Sequence, residues 1–260
     1  MLSSIRYLII PDIHSRDFWR EPVKKVLSET NCKIVFLGDY TDPYWDDFFN
    51  NDNEPIYRHI KNDIELSNYS VTTLNDIIDL KKQYPDRIIL LVGNHDCSYL
   101  IGKHICDCRR ARGESLKELY KLFNDNRDLF QLAYEDYIND VHYIFSHAGI
   151  NKDYARYCFE DEVNEENVVR LFNEKYYENN YGIMDTLGMF SRIRGKWGGR
   201  YGSLVWADLR EWVLYNEKAY GFSIVGHTQL SGHKIIDDFA FLDSKQCFIL
   251  NEKGEIKLFK

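Results

Sequence analysis

The run Ile88-Ile89-Leu90-Leu91-Val92 breaks abruptly into Gly93-Asn94-His95-Asp96. Five successive β-branched or leucine residues with no polar interruption read as a strand that needs cover on both faces. That pattern belongs to α/β architecture, and open α/β sheets bind ligands just beyond the carboxyl ends of their strands. A strand that stops in glycine and three polar residues delivers those side chains to that edge. Asn94 offers a neutral amide oxygen to a metal. His95, one residue on, points elsewhere and can face a substrate.

Four other strand-like runs end the same way. Residues 5–10 lead into Asp12-Ile13-His14, and 33–37 into Gly38-Asp39-Tyr40-Thr41-Asp42. Residues 141–145 lead into Ser146-His147-Ala148-Gly149, and 222–225 into Gly226-His227-Thr228. Residues two apart in extended chain share a face, so Asp12 and His14 are expected to grip one ion from one side. Asp39 is placed to reach a metal cluster from above the sheet. Taken singly, these are a loop pair, an acidic turn and structural histidines. Together, five strand ends in one chain carry Asp, Asn or His. Oxygen and imidazole donors without thiolate suit Mn²⁺, Fe, Zn²⁺ or Mg²⁺ rather than copper(I) or an iron-sulfur cluster. One carboxylate can bridge two ions about 3.5 to 4 Å apart, the usual arrangement for phosphoester displacement.

The connecting segments fit a layered domain. Residues 18–30, with Pro22 early, and 71–84 have helical spacing. Two strand-helix-strand units then imply a parallel sheet with right-handed crossovers. Residues 116–123, 165–177 and 208–220 also read as helices. Residues 129–134 and 141–145 read as strands of a hairpin turning through 137–140. Four short runs after residue 233 suggest an antiparallel meander finishing a second sheet. Residues 151–200 differ in character, rich in Glu, Asn and Tyr and then in Gly and Arg. They are read as a cap inserted into a single domain spanning 1–260. The aromatic, acidic stretch 43–55 reads as a surface loop whose rings are core satellites more than cleft lining. The basic cluster Arg109, Arg110 and Arg112 reads as a solvated face more than a phosphate site.

The net charge of -8 argues against a general nucleic-acid surface, which needs clustered Lys and Arg. It leaves anionic substrates open, because bound metals can reverse the local sign. No run approaches the roughly 18 to 20 apolar residues of a membrane span, and the first apolar run is too short for a signal peptide. The six cysteines form no C-x-x-C pair. They are expected to be reduced thiols of a cytoplasmic protein.

The ordered set Asp12-Ile13-His14, Gly38-Asp39, Gly93-Asn94-His95-Asp96, His147 and Gly226-His227 resembles the calcineurin-like metallophosphoesterase superfamily. That family's pattern is D-x-H, G-D, G-N-H-D/E, H and G-H, and the match runs from residue 5 to about 230. Gly38-Asp39-Tyr40-Thr41-Asp42 and Leu204-Val205-Trp206-Ala207-Asp208 look like the protein Ser/Thr phosphatase branch. The branch also includes bacterial diadenosine tetraphosphate hydrolases.

The resemblance implies a two-sheet αββα sandwich and two divalent metal ions, Mn²⁺ foremost. Asp12 and His14 would hold the first ion, Asp39 would bridge, and Asn94, His147 and His227 would hold the second. Metal-activated hydroxide would attack phosphorus, with His95 as general acid and Asp42 orienting its imidazole. The implied substrate is a phosphomonoester, on a protein or a small molecule. Alternatives are a dinucleoside polyphosphate or cyclic nucleotide hydrolase, or a metal-binding scaffold without catalysis. Where the branch carries Gly after the first His and Arg-Gly after the second Asp, this chain has Ser15 and Pro43-Tyr44. A phosphate-binding arginine is therefore missing from its usual place. Arg192, Arg194 or Arg200 is expected to compensate, since a guanidinium fork contacts phosphate oxygens bidentately. Gln229 stands where other branches carry a second His, which favours the phosphatase branch over nuclease-like ones.

Overall fold

Alternation along three buried strands sets the layers. The strands are β1 (Ile5–Ile10), β2 (Lys33–Phe36) and β3 (Ile88–Leu91) in a computed structural model. The structure describes residues 4–50, 56–57, 60–101, 108–178, 194 and 201–260. Successive side chains of a strand point to opposite faces. Leu8, Ile10, Ile34, Phe36, Ile88 and Leu90 pack with α1 (Arg20–Glu29) and α2 (Asp63–Gln83), through Val23, Val26, Leu74 and Ile77. Tyr7, Ile9, Val35, Ile89 and Leu91 point the other way, onto Phe145 and Ile224 of a second sheet and Leu242 just beyond one of its strands. A strand with apolar residues on both faces thus acquires a helix layer on one side and a sheet on the other. Leu91 is fully buried there, and truncating such a residue to Ala costs about 2–5 kcal/mol.

β1, β2 and β3 pair in parallel, with α1 and α2 as crossovers. The short β4 (Phe130–Gln131) extends that parallel edge. On the other edge stand β10 (Phe248–Asn251), antiparallel to β1, and β11 (Ile256–Leu258), giving the order β11-β10-β1-β2-β3-β4. The second sheet holds β5 (Ala133–Ile138), β6 (Val141–Ser146), β7 (Phe222–Val225), β8 (Lys234–Ile236) and β9 (Phe239–Phe241), in the order β5-β6-β7-β9-β8. Its outer face is covered by Trp212 of α7 (Leu209–Val213), packed on Val225, Phe239 and Phe241. The result is the expected αββα sandwich.

Several local expectations need correction. Residues 129–134 are not one strand: the chain changes sheet at Leu132. Asn173 causes the switch, its Oδ1 accepting the N–H groups of Leu132 and Ala133 and its Nδ2 donating to the Ala133 carbonyl. The hairpin then turns at Asn139-Asp140 alone, both at positive φ, as a two-residue hairpin requires. The strands after residue 233 are not one meander, because β8 and β9 stay in the second sheet while β10 and β11 return to the first. The helix expected over 208–220 is only α7, and the chain leaves it through the exposed Leu214 and Asn216 at φ +50°. Conversely α2 begins eight residues earlier than its apolar stripe. Asn62 caps it by accepting from Ile64 N–H and Glu65 N–H.

The stretch read as a cap begins with α5 (Lys152–Phe159) and α6 (Val168–Tyr177). Both pack into the main core through Tyr154, Phe159, Phe172 and Tyr176. Of residues 179–200 only Arg194 is among the described residues. No described helix is long and apolar enough to cross a membrane.

Candidate active site

The polar strand ends of both sheets meet at one edge, where the backbone is bent to bring them together. His14, Asp39, Asp42 and His227 have φ of 45°, 55°, 59° and 60°. Non-glycine residues enter this left-handed region at a cost, and such strain concentrates at functional sites. Two glycines permit the closest approaches. A Cβ on Gly226 would lie 2.1 Å from Asp12 Oδ2, and one on Gly93 would lie 2.2 Å from Asp39 Oδ1. Asp96 holds the turns in register. It opens α3 (Asn94–Leu100), accepting from Gly93 N–H at 2.8 Å, Asp39 N–H at 2.7 Å and Tyr40 N–H at 3.2 Å. Burial pushes its carboxyl up to about 6 against those donors.

The donors themselves are buried. His147 turns Nδ1 to the Leu37 carbonyl at 2.8 Å, and His14 turns Nδ1 to the carbonyls of Thr41 and Asp42, both at 3.1 Å. With Nδ1–H donated outward, each ring aims the Nε2 lone pair into the cluster. His147 Nε2 lies 2.9 Å from Asn94 Oδ1, 3.2 Å from His227 Nδ1 and 3.6 Å from Asp39 Oδ2. His227 Nδ1 lies 2.9 Å from Asn94 Oδ1, and His14 Nε2 lies 3.5 Å from Asp39 Oδ2. Asp12 accepts the His227 N–H on both oxygens, at 3.1 and 3.0 Å.

Donors about 2.1 Å from one cation stand about 3 Å apart at right angles, so these spacings fit metal coordination. The protonation states fit too. Burial lowers His14, His147 and His227 below the ordinary imidazole range, leaving neutral rings of the kind that bind metals. Burial drives Asp39 well above the usual carboxylate range despite the pull of His95, with Asp12 and Asp96 adding to the rise. A cation relieves that repulsion. Asp39 belongs to two candidate ligand groups, one with His14 and His95 and one with Asp12 and His147. Asp12 and His14 fall in different groups, joined by Asp39. The left-handed turn at His14 replaces the extended pair expected from spacing.

His95 sits at the border of the cluster, its ring perpendicular to that of His14 with centroids 4.9 Å apart. Its N–H donates to Asp39 Oδ1 at 2.9 Å, and its Nδ1 lies 3.2 Å from Asp42 Oδ2. Burial pushes the imidazole down, but Asp39 and the hydrogen bond to Asp42 outweigh it and raise it to about 9. Asp42 is itself held. Its Oδ1 accepts the Tyr99 hydroxyl at 2.6 Å and the N–H groups of Arg110 at 2.8 Å and Ala111 at 3.4 Å.

Arg192 and Arg200 lie outside the described residues. Arg194 is exposed, its guanidinium 5.3 Å over the Trp206 ring, which stands edge-on to His227 at 5.6 Å. It therefore occupies the rim on the His227 side. Tyr99 was missed by sequence reasoning, which quoted Asp96 only as part of a motif and read Arg110 more as a solvated face; all three hold the turns or Asp42 at the site. The capping position of Asp96 was visible in Gly-Asn-His-Asp, whereas nothing local ties Tyr99 or Arg110 to Asp42.

Fold and site together define a metal-dependent hydrolase of phosphoester bonds, with two candidate ligand groups sharing one carboxylate. The chain belongs to the calcineurin-like phosphoesterase family, whose model matches residues 5–231. Among solved structures it is similar in fold to a cold-active protein tyrosine phosphatase, with 14% identity and a TM-score of 0.56, covering 99% of this chain and 79% of that one. It is similar also to a Saccharomyces cerevisiae protein serine/threonine phosphatase with similarity to human phosphatase PP5, with 14% identity and a TM-score of 0.50, covering 99% and 80%. No curated protein matches the chain.

Proposed function

We propose that this enzyme hydrolyses the phosphomonoester of an alcohol, carried by a protein or a small molecule. The observation that carries this reading is the His95–Asp42 pair. Asp42 stands 3.2 Å from His95 Nδ1, holds the ring against the donor cluster and by that hydrogen bond favours its protonated form. A group that stays protonated near neutral pH is suited to protonating a departing alkoxide, which cannot leave readily without a proton. The nucleotide leaving group of a dinucleoside polyphosphate is a weaker base and needs that acid less.

Following the family pattern, Asp12 and His14, which the two candidate groups join only through Asp39, would hold one cation, Asp39 would be shared, and Asn94, His147 and His227 would hold the other. Bound there, two divalent ions supply the positive charge that polarises a phosphoryl group and acidifies water. Mn²⁺ is the leading candidate, and Fe, Zn²⁺ and Mg²⁺ accept the same donors. His95 Nε2–H faces the leaving oxygen while Asp42 retains Nδ1–H. Tyr99 and the Arg110 and Ala111 N–H groups keep Asp42 from rotating away. Arg194 is proposed to meet substrate on the His227 rim, with Arg192 and Arg200 as further candidates. Among the described residues Cys32, Cys97 and Cys247 are buried thiols, in keeping with the reducing cytoplasmic setting proposed for this chain.

The test is turnover of p-nitrophenyl phosphate, its bis-ester, a phosphoserine peptide and diadenosine tetraphosphate by metal-reconstituted protein, beside His95→Ala. Metal-dependent hydrolysis of the phosphoserine peptide, lost in His95→Ala, is the expected result. Preference for diadenosine tetraphosphate with His95→Ala unimpaired would refute it.

A further inference from the structure

Pro43-Tyr44 follows Asp42 where an arginine was expected, yet a guanidinium stands beside that segment. It comes from Arg110, 68 residues along the chain. Arg110 Nη1 donates to the Asp42 carbonyl at 2.6 Å. The same carbonyl is 3.1 Å from His14 Nδ1. Two nitrogens sharing one acceptor at such distances lie within about 6 Å of each other, so the guanidinium stands on the outer side of His14, against the Asp42 that holds His95. It lies 3.8 Å over the ring of Tyr44, which itself stands edge-on to His14 at 4.8 Å. Tyr44 is 39% exposed, so this face of the pair opens to solvent. Beside it is a cavity of about 240 Å³ lined by Pro43, Trp45, Arg109, Arg110 and Arg112 among others.

Of the described arginines that reach the site, Arg110 is the one with a free fork. Arg16 is spent: Nε and Nη2 bind Asp47 Oδ2 at 2.8 and 2.6 Å, and Nη1 reaches the Asp12 carbonyl. Arg194 is on the opposite rim, over Trp206. Arg110 uses one N–H of Nη1 and its aromatic stack. Its Nε and Nη2 have no acceptor among the described residues. A guanidinium fixed at one corner and stacked on a ring has lost little further freedom to lose on binding an anion.

We propose that Arg110 binds a non-bridging oxygen of the substrate phosphate on the His95 side of the cluster, and that this contact selects monoesters over diesters. The inference rests on the phosphomonoesterase reading above for its substrate class. A monoester presents three non-bridging oxygens, enough for the metal centre and a guanidinium together. A diester has only two, and an ester group occupies the direction of the third. Losing Arg110 should therefore penalise monoester and free phosphate much more than diester. Arg110 also bonds the Asp42 carbonyl, so a purely positioning role is the competing explanation. That role would impair His95 for every substrate alike.

The experiment compares Mn²⁺-loaded wild type with Arg110→Gln, Arg110→Lys and, from the same cavity lining, Arg112→Gln. Calorimetry reads the dissociation constant of inorganic phosphate. Kinetics read kcat and KM on p-nitrophenyl phosphate and its bis-ester, and metal content and unfolding midpoint are checked for each variant. Arg110→Gln should weaken phosphate at least tenfold and raise the monoester KM in proportion, with diester KM changed less than threefold. Arg110→Lys, which keeps the charge without the fork, should fall between and serves alone if the Gln variant does not fold. Arg112→Gln should stay within twofold of wild type. Unchanged phosphate affinity in Arg110→Gln would overturn the proposal. So would an equal fall in kcat on both esters at constant KM, or wild type that holds its metals but no phosphate. Arg110-dependent phosphate binding without hydrolysis of any monoester would leave the assignment standing and defeat only the functional reading.

Discussion

Replacing Asp42 with Asn isolates the acid role proposed for His95. The substitution is nearly isosteric, and its remaining oxygen can still accept from Tyr99 and from the Arg110 and Ala111 N–H groups. The amide nitrogen then faces His95 Nδ1 in place of Oδ2, now at 3.2 Å, and a donor meets a donor. His95 loses both the hydrogen bond and the charge by which Asp42 raises it. Its imidazole falls from about 9 toward the ordinary range, with burial still lowering it and Asp39 still raising it. Once the value lies below the assay pH, each further unit of fall lowers the protonated fraction about tenfold. Bound cations take up part of the pull of Asp39, so the wild-type basic limb should lie between 6.5 and about 9. General acids contribute about 10²- to 10⁴-fold in all. The assay is kcat against pH on two monoesters, a phosphoserine peptide and p-nitrophenyl phosphate. For the alkyl ester, Asp42→Asn should cost more than about tenfold at pH 8 and shift the basic limb toward acid. For the aryl ester, whose nitrophenolate departs without a proton, the loss should stay under about tenfold. Equal losses on both esters, or an unmoved basic limb, would refute the argument.

Other perturbations probe the metal cradle and the scaffold. Gly226→Ala places a Cβ 2.1 Å from Asp12 Oδ2, so bound metal should fall below two ions per chain by native mass spectrometry; two retained ions would contradict the packing argument. Removing metal with a chelator should lower the unfolding midpoint, since each ion at about 100 times its Kd contributes about 2.7 kcal/mol; an unchanged melt would refute a metal-relieved cluster. Burial raises Glu211, which accepts the Gly202 N–H at 3.2 and 3.0 Å, from an ordinary 4.5 to about 7. A raised acid stabilises the fold below its unfolded value and loses that share as pH climbs through its folded value. Stability should thus decline between pH 4.5 and 7, by at most about 3 kcal/mol, and Glu211→Gln should flatten the decline in urea unfolding; an unaltered slope would exclude Glu211 as its source.

What could be read from the chain, and what could not, divides by the range of the interaction involved. The strand ends were legible because their geometry is local. Asp, Asn, His and Gly tolerate the left-handed turns at Asp39, Asp42 and His227, and an uninterrupted apolar run before each turn reports a doubly covered strand. The sheet change at Leu132 was not legible, because its cause is Asn173, 41 residues away in another helix. The return of β10 to β1 was equally hidden, since alternating runs fit either sheet. Asp42 shows both ranges in one residue. Its place after Gly38-Asp39 is a local pattern, but Tyr99, Arg110 and Ala111, 57 to 69 residues distant, decide how its carboxylate is held. An arginine cluster such as 109–112 has no periodicity that separates a solvated face from an anion clamp. The distinction arises only when folding sets Arg110 on Tyr44 and against the Asp42 carbonyl. Candidate metal ligands set at strand ends therefore announce themselves in sequence, while the groups proposed to choose the substrate, carried by distant loops, do not.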